Sequence, residues 1–255
     1  MIRKPLATVL ALGLLVPLAA CGDDDDDNGG DGGGGTSELM VLGAASLTDV
    51  FEDLGATFEA DNDAKVTFSF GSSTDLAGQV ADGAPGDVLA TADQTSMTVA
   101  EDAGVTGDVE TFATNVLVIV TPPDNPAGIQ TLDDLGDATW IRCADEVPCG
   151  RAALGVLEDN GVTAEPASLE EDVRATLDKV ISGEADAGLV YATDAVAADD
   201  SVNTIEIPGA ESQLTSYFVT TLEQSEDSDL AQEWVDLVLS DEGQQVLEDA
   251  GFGAP

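Results

Sequence analysis

From Glu38 onward the chain alternates short apolar runs with segments of helical period, the pattern of sheets covered by helices, and this points to an α/β architecture. Leu39-Met40-Val41-Leu42-Gly43-Ala44-Ala45 reads as a buried strand. The segment opening at Ser46 carries Val50, Phe51, Leu54 and Phe58 on one helical face, with Ser46 where an N-cap belongs. Residues 65–70 repeat the strand signal, and Gly71-Ser72-Ser73 turns them into a helix through Leu76 and Val80. Residues 87–92 and 94–103 make a third strand-to-helix unit. Residues 115–121 form a strongly apolar strand stopped by Pro122 and Pro123, which marks the crossing to a second unit. There, residues 139–143 and 187–191 read as strands, and 150–160 and 169–181 as helices. Residues 216–220 read as a returning strand, and 229–250 as one last helix with Leu230, Trp234, Leu237 and Val238 on its inner face.

At 255 residues and 43% apolar, the chain can hold one large domain or two small ones; with 4% aromatic residues the cores are mostly Ala, Val, Leu and Ile. Charge narrows the function. There are 51 acidic residues against 7 Lys and Arg, no His, and a net charge of −44. Nucleic acid is excluded as a partner, because its phosphates need clustered cations to displace their counterions. Without imidazole, Ser-His-Asp and Cys-His nucleophile systems and most catalytic zinc sites cannot be assembled, so no enzyme is expected. Ser46 or Ser73 as the nucleophile of a secreted hydrolase lacks both a Gly-x-Ser-x-Gly elbow and a base.

Residues 1–20 read as an export signal, with Arg3 and Lys4 before an apolar run that is too short to span a membrane comfortably. The run ends Leu18-Ala19-Ala20-Cys21, which resembles a bacterial lipobox; the resemblance implies cleavage before Cys21 and a lipid anchor on its sulfur. The protein would then be held at the outer face of the cytoplasmic membrane. Residues 21–37 are Asp- and Gly-rich, can bury no apolar surface, and read as a tether. The run of Asp residues that follows Gly22 also admits a cation-binding reading, that of an acidic surface protein.

Cys143 and Cys149 bracket Ala-Asp-Glu-Val-Pro, and in an exported chain so close a pair invites a disulfide. Metal ligation is the alternative. Three junctions, Ala44-Ala45-Ser46-Leu47, Gly71-Ser72-Ser73-Thr74 and Pro148-Cys149-Gly150, place small residues or hydroxyls at helix starts. A helix start offers unpaired N–H groups and partial positive charge, so it can hold an anion without a cationic side chain. The simpler reading is that each serine caps its own helix.

Six blocks occur in order: Ala44-Ala45-Ser46-Leu47-Thr48-Asp49, Ser69-Phe70-Gly71-Ser72-Ser73-Thr74 with Leu76-Ala77, Gly83-Ala84-Pro85-Gly86-Asp87, Val147-Pro148-Cys149-Gly150, Glu171-Asp172-Val173-Arg174 and Gly188-Leu189-Val190-Tyr191-Ala192-Thr193-Asp194-Ala195. Together, over roughly residues 39–254, they resemble the periplasmic molybdate-binding proteins. The resemblance implies the two-lobed, type II periplasmic binding protein fold, with residues 38–116 and 214–255 in one lobe and 117–213 in the other. It implies an oxyanion in the cleft, held by hydroxyl and backbone N–H of Ser46 and Ser73, backbone N–H of Cys149 and Val173, and the hydroxyl of Tyr191. The ligand implied is molybdate, with tungstate alike in size and shape, delivered to an ABC permease and its ATPase subunit by a monomeric receptor. No cofactor is expected, and no metal other than that of the oxyanion. Sulfate is the nearest competing ligand. A ferric-ion receptor fits less well, since Tyr191 and Tyr217, the only tyrosines, stand far apart in sequence.

Overall fold

A computed structural model describes residues 37–255. The export signal, Cys21 and the tether through residue 36 lie outside the described residues. The chain runs β1 (Ser37–Ala44), a 3-10 turn (Ala45–Leu47), α1 (Thr48–Asp61), β2 (Ala64–Gly71), α2 (Ser73–Ala81), β3 (Val88–Thr91), α3 (Gln94–Ala103) and β4 (Glu110–Asn115). It then crosses into β5 (Leu117–Thr121), β6 (Trp140–Cys143), α4 (Pro148–Asp159), β7 (Ser168–Glu170), α5 (Val173–Ile181), β8 (Ala187–Tyr191), α6 (Ala192–Ala198) and β9 (Asn203–Glu206). β10 (Thr215–Thr221), α7 (Ser228–Leu239) and α8 (Asp241–Asp249) complete it.

The strands form two five-stranded sheets, ordered β2-β1-β3-β10-β4 and β7-β6-β8-β5-β9. In the first, β1 runs parallel to β2 and β3, while β10 is antiparallel to β3 and β4. In the second, β6 runs parallel to β7 and β8, while β5 is antiparallel to β8 and β9. Each half is therefore a small α/β layer structure, and the chain visits the first, then the second, then the first again. β1 is apolar on both faces because helices cover both. Leu39 and Val41 pack with Phe51, Leu54, Phe58 and Trp234, whereas Leu42 packs with Leu76, Val80, Leu89 and Met97. Trp234 anchors the first of these cores, with its ring 5.5 Å from Phe51 and 5.5 Å from Phe58. The second half is built around Ile119, Trp140, Val156, Leu177 and Leu189. Among the described residues no helix is long and apolar enough to cross a membrane.

Four local expectations are corrected. Ser46 is not an N-cap: it lies inside the 3-10 turn, and α1 starts at Thr48, whose hydroxyl donates to Ala45 O at 2.7 Å. The apolar segment at 115–121 is not one strand; Asn115 Oδ1 accepts from Val116 N at 3.0 Å, and the chain leaves one sheet for the other there. Residues 169 and 170 are not helical but pair with β6, and the helix begins only after Asp172, whose carboxylate accepts from Ala175 N at 2.9 Å. The last helix is two, because Ser240 is extended and caps α8 through Gly243 N at 3.0 Å.

Candidate functional site

All the parallel strands of both sheets deliver their carboxyl ends to one cavity, where such sheets place ligands. Ala44, Ala45 and Ser46 follow β1, Gly71, Ser72 and Ser73 follow β2, and Ala92 follows β3. From the other half come Val147, Pro148 and Cys149 after β6, Asp172 and Val173 after β7, and Tyr191 at the end of β8. The structure thus brings Ser46, Ser73, Cys149, Val173 and Tyr191 around a single small space. No Lys or Arg is among its lining residues.

The walls nevertheless present donors. The first helical hydrogen bonds of α2, α4 and α5 are donated by Leu76, Arg151 and Thr176, to Ser72, Val147 and Asp172. The N–H groups of Ser73, Cys149 and Val173 precede them and have no acceptor within their helices. Three helix starts therefore aim positive partial charge at one space.

The serine hydroxyls are not spent on capping. Ser73, 1% exposed, accepts from Ala92 N at 3.0 Å, which fixes its oxygen and leaves its proton for the cavity. Ser46 Oγ lies 2.8 Å from the Tyr217 hydroxyl, which in turn accepts from Asn115 Nδ2 at 3.3 Å. Asn115 is itself oriented, its Oδ1 accepting from Val116 N. Tyr217 is fully buried and held protonated, burial pushing it far above the usual tyrosine range. Its proton needs an acceptor, and Ser46 Oγ is in reach, so the Ser46 proton is turned toward the cavity. The relay Asn115, Tyr217, Ser46 sets the polarity of the site from behind. Sequence reading missed it, because Ser46 and Tyr217 stand 171 residues apart.

Tyr191 is 1% exposed, and its buried hydroxyl has Thr215 nearby but makes no hydrogen bond of normal geometry; Ser72 Oγ, also lining the cavity, is a buried atom without a partner. Buried hydroxyls so poorly satisfied beside the same space have capacity for an acceptor there. Burial first, then the neighbouring Tyr217, pushes Tyr191 well above its ordinary range, so it stays a donor at any physiological pH. The two tyrosines, distant in sequence, stack edge to face with centroids 6.1 Å apart. Sequence distance was therefore no argument about their separation. Among the described residues, no three side chains of His, Cys, Asp and Glu are grouped to hold a metal ion.

Cys143 and Cys149 are joined by a disulfide, so neither thiol is available as a metal ligand. It ties the end of β6 to the first turn of α4. Closing so short a loop contributes on the order of 2 kcal/mol.

Beneath Tyr191 sits Asp194, fully buried, accepting from Tyr191 N at 3.2 Å and lying 3.3 Å from Arg174 Nε. Burial raises its pKa to about 7 against the opposing pull of Arg174. The unfolded chain releases this proton near pH ~4. Between those values the folded state holds a proton that the unfolded chain has lost, so Asp194 lowers stability as pH rises from about 4 to 7 and changes nothing above. Asp194→Asn should therefore gain on the native protein by ~1–3 kcal/mol between pH 5 and pH 8 in urea unfolding. A pH-independent difference would contradict the assignment.

Residues 39–253 match the family model described as bacterial extracellular solute-binding protein. The molybdate-binding protein ModA of Mycobacterium tuberculosis is 35% identical, the match covering 98% of both chains. Among solved structures, a periplasmic molybdate-binding protein of Azotobacter vinelandii aligns with a TM-score of 0.77 at 20% identity, covering 85% of this chain and 99% of that one. The sulfate-binding protein SubI of Mycobacterium tuberculosis aligns with a TM-score of 0.74 at 19% identity, covering 85% of this chain and 86% of that one. These structural likenesses show the periplasmic binding protein fold. They do not choose between the two anions. By its match to the model over residues 39–253 and the 35% identical relative, the chain belongs to the bacterial extracellular solute-binding proteins, in the family of the molybdate-binding proteins.

Proposed function

We propose that this chain is an extracytoplasmic receptor that captures molybdate, and tungstate with it, for an ABC permease and its ATPase. Residues 38–116 with 214–255 act as one lobe and 117–213 as the other, closing on the ligand. Ser46, Ser73, Cys149, Val173 and Tyr191 hold the oxyanion. The observation that carries this reading is a cation-free cavity onto which three helix starts and oriented hydroxyls converge, its one carboxylate, Asp172, being engaged by Ala175 N, with the Ser72 hydroxyl unpartnered and that of Tyr191 making no hydrogen bond of normal geometry. A dianion leaves water only where many donors replace its hydration, and donors fixed by the fold do so without reorganising. Such a site needs no positive side chain, so it can exist in a chain of net charge −44. The 35% identical relative supports molybdate over sulfate. The receptor works as a monomer, catalyses nothing, and is held to the membrane by lipid on Cys21.

Ligand binding to the native state alone raises stability by about 2.7 kcal/mol at a hundredfold excess over Kd. Melting should accordingly rise by roughly 5–10 °C with molybdate or tungstate and stay unmoved with phosphate. An equal rise with sulfate would shift the assignment to the sulfate reading, and no rise with any oxyanion would remove it.

A further inference from the structure

We infer that Arg151 and Arg174 are a clasp: positioning residues that hold the two halves shut over the cavity and so set how long a bound oxyanion is retained. This rests on the oxyanion-receptor reading. The half built on the first sheet carries 25 acidic residues and one cation, Lys65; the other carries 20 acidic residues and four cations. Two strongly negative bodies repel on approach, and something must offset that in the closed form. Neither arginine lines the cavity, yet each reaches across beside it.

Arg151, on α4, places Nε 2.6 Å from Asp93 Oδ2 of the opposite half. Its Nη2 donates to Ser96 Oγ at 3.1 Å and Thr74 Oγ1 at 3.3 Å in that same half. Its Nη1 donates to Glu146 O, and Glu146 O also accepts from Thr74 Oγ1 at 2.8 Å, a second crossing. Arg174, on α5, pairs with Asp49 of α1 in the opposite half and backs onto the buried Asp194. The remaining described ion pairs, Arg142 with Asp145 and Lys179 with Glu170, stay within one half.

The placement ties the clasp to the site. Asp93 adjoins Ala92, whose N–H fixes Ser73, and Arg151 stands two residues after Cys149. Asp49 stands three residues after Ser46, and Arg174 adjoins Val173. With the walls together both pairs are in register; when the walls part, both pairs are surrendered to water. The pairs are partly exposed, with Arg151 at 29% and Arg174 at 26%, so salt weakens them.

The test uses the full chain, with Arg151→Gln, Arg174→Gln and the double variant, and molybdate as the probe. Dissociation should quicken by about 3–10-fold for each single variant and more for the double, with association changed little. Dissociation from the native protein should quicken with NaCl, whereas that of the double variant should not. Arg151→Lys should restore part of the retention. Small-angle scattering should find the double variant more expanded than the native protein without added anion. Native dissociation rates with unchanged scattering would overturn the clasp. If the native protein binds no molybdate while the double variant still expands, the molybdate reading falls and the clasp stands.

Discussion

Ser73→Ala is expected to weaken molybdate binding by about 10- to 100-fold, the value of a hydrogen bond to a charged acceptor, ~1.5–3 kcal/mol. The loss is direct, because the Ser73 oxygen is already engaged by Ala92 N and only its proton faces the cavity. Alanine also leaves that N–H without its partner, so unfolding should show a further cost of ~1 kcal/mol. Ser46→Ala should lose a similar factor, since it removes the last donor of the relay and strands the proton of Tyr217. Tyr217→Phe separates direct from indirect action. It keeps the Ser46 hydroxyl but frees it to turn away, so its effect should be smaller than that of Ser46→Ala. Titrations of the three variants in which neither serine matters would remove both from the site.

Gly150→Ala should be the most damaging single methyl in the molecule. A Cβ at Gly150 would stand 1.7 Å from Ala144 O and 2.5 Å from its carbonyl carbon, and backbone atoms cannot step aside as a side chain can. The disulfide a residue away prevents the loop from retreating. We expect a loss of about 3 kcal/mol or more in urea unfolding, beyond ordinary overpacking. Binding should fall as well, because the displaced turn carries the Cys149 N–H. Full stability in this variant would show that the loop yields.

Where the sequence could be read, the reason is local. Ser46, Ser73 and Cys149 stand at strand-to-helix turns, and three such turns in one α/β chain announce a common edge without any knowledge of distance. Tyr191 and Val173 carry no such local mark and came from the ordered motif blocks alone. The cysteine pairing was readable because its loop is so short. What escaped depends on contacts far along the chain. The hydroxyl polarity of Ser46 is set by Tyr217 and Asn115, and the roles of Arg151 and Arg174 by Asp93 and Asp49, 58 and 125 residues away. The helical reading of Leu169 failed because a three-residue strand followed by a cap can mimic a turn of helix in its apolar spacing. The unbroken final helix failed because Ser240 interrupts an otherwise continuous apolar stripe, a stop that only the capping bond to Gly243 reveals.

Acidity, which first excluded partners, ends as a design constraint on the site. Among residues 37–255, 45 acids face five cations, so the charge belongs to the folded surface and not to the tether alone. A cavity that relied on cationic side chains would draw on a very small supply. Neutral donors fixed by helix starts and by a hydroxyl relay avoid that demand, and two of the five cations are left to bridge the halves.

Calorimetric titration of the full chain with molybdate, tungstate, sulfate and phosphate decides the matter most directly. Saturable one-to-one binding of molybdate and tungstate, with sulfate and phosphate silent or far weaker, is the expected result. Preference for sulfate or phosphate, or no heat from any of the four, would contradict it.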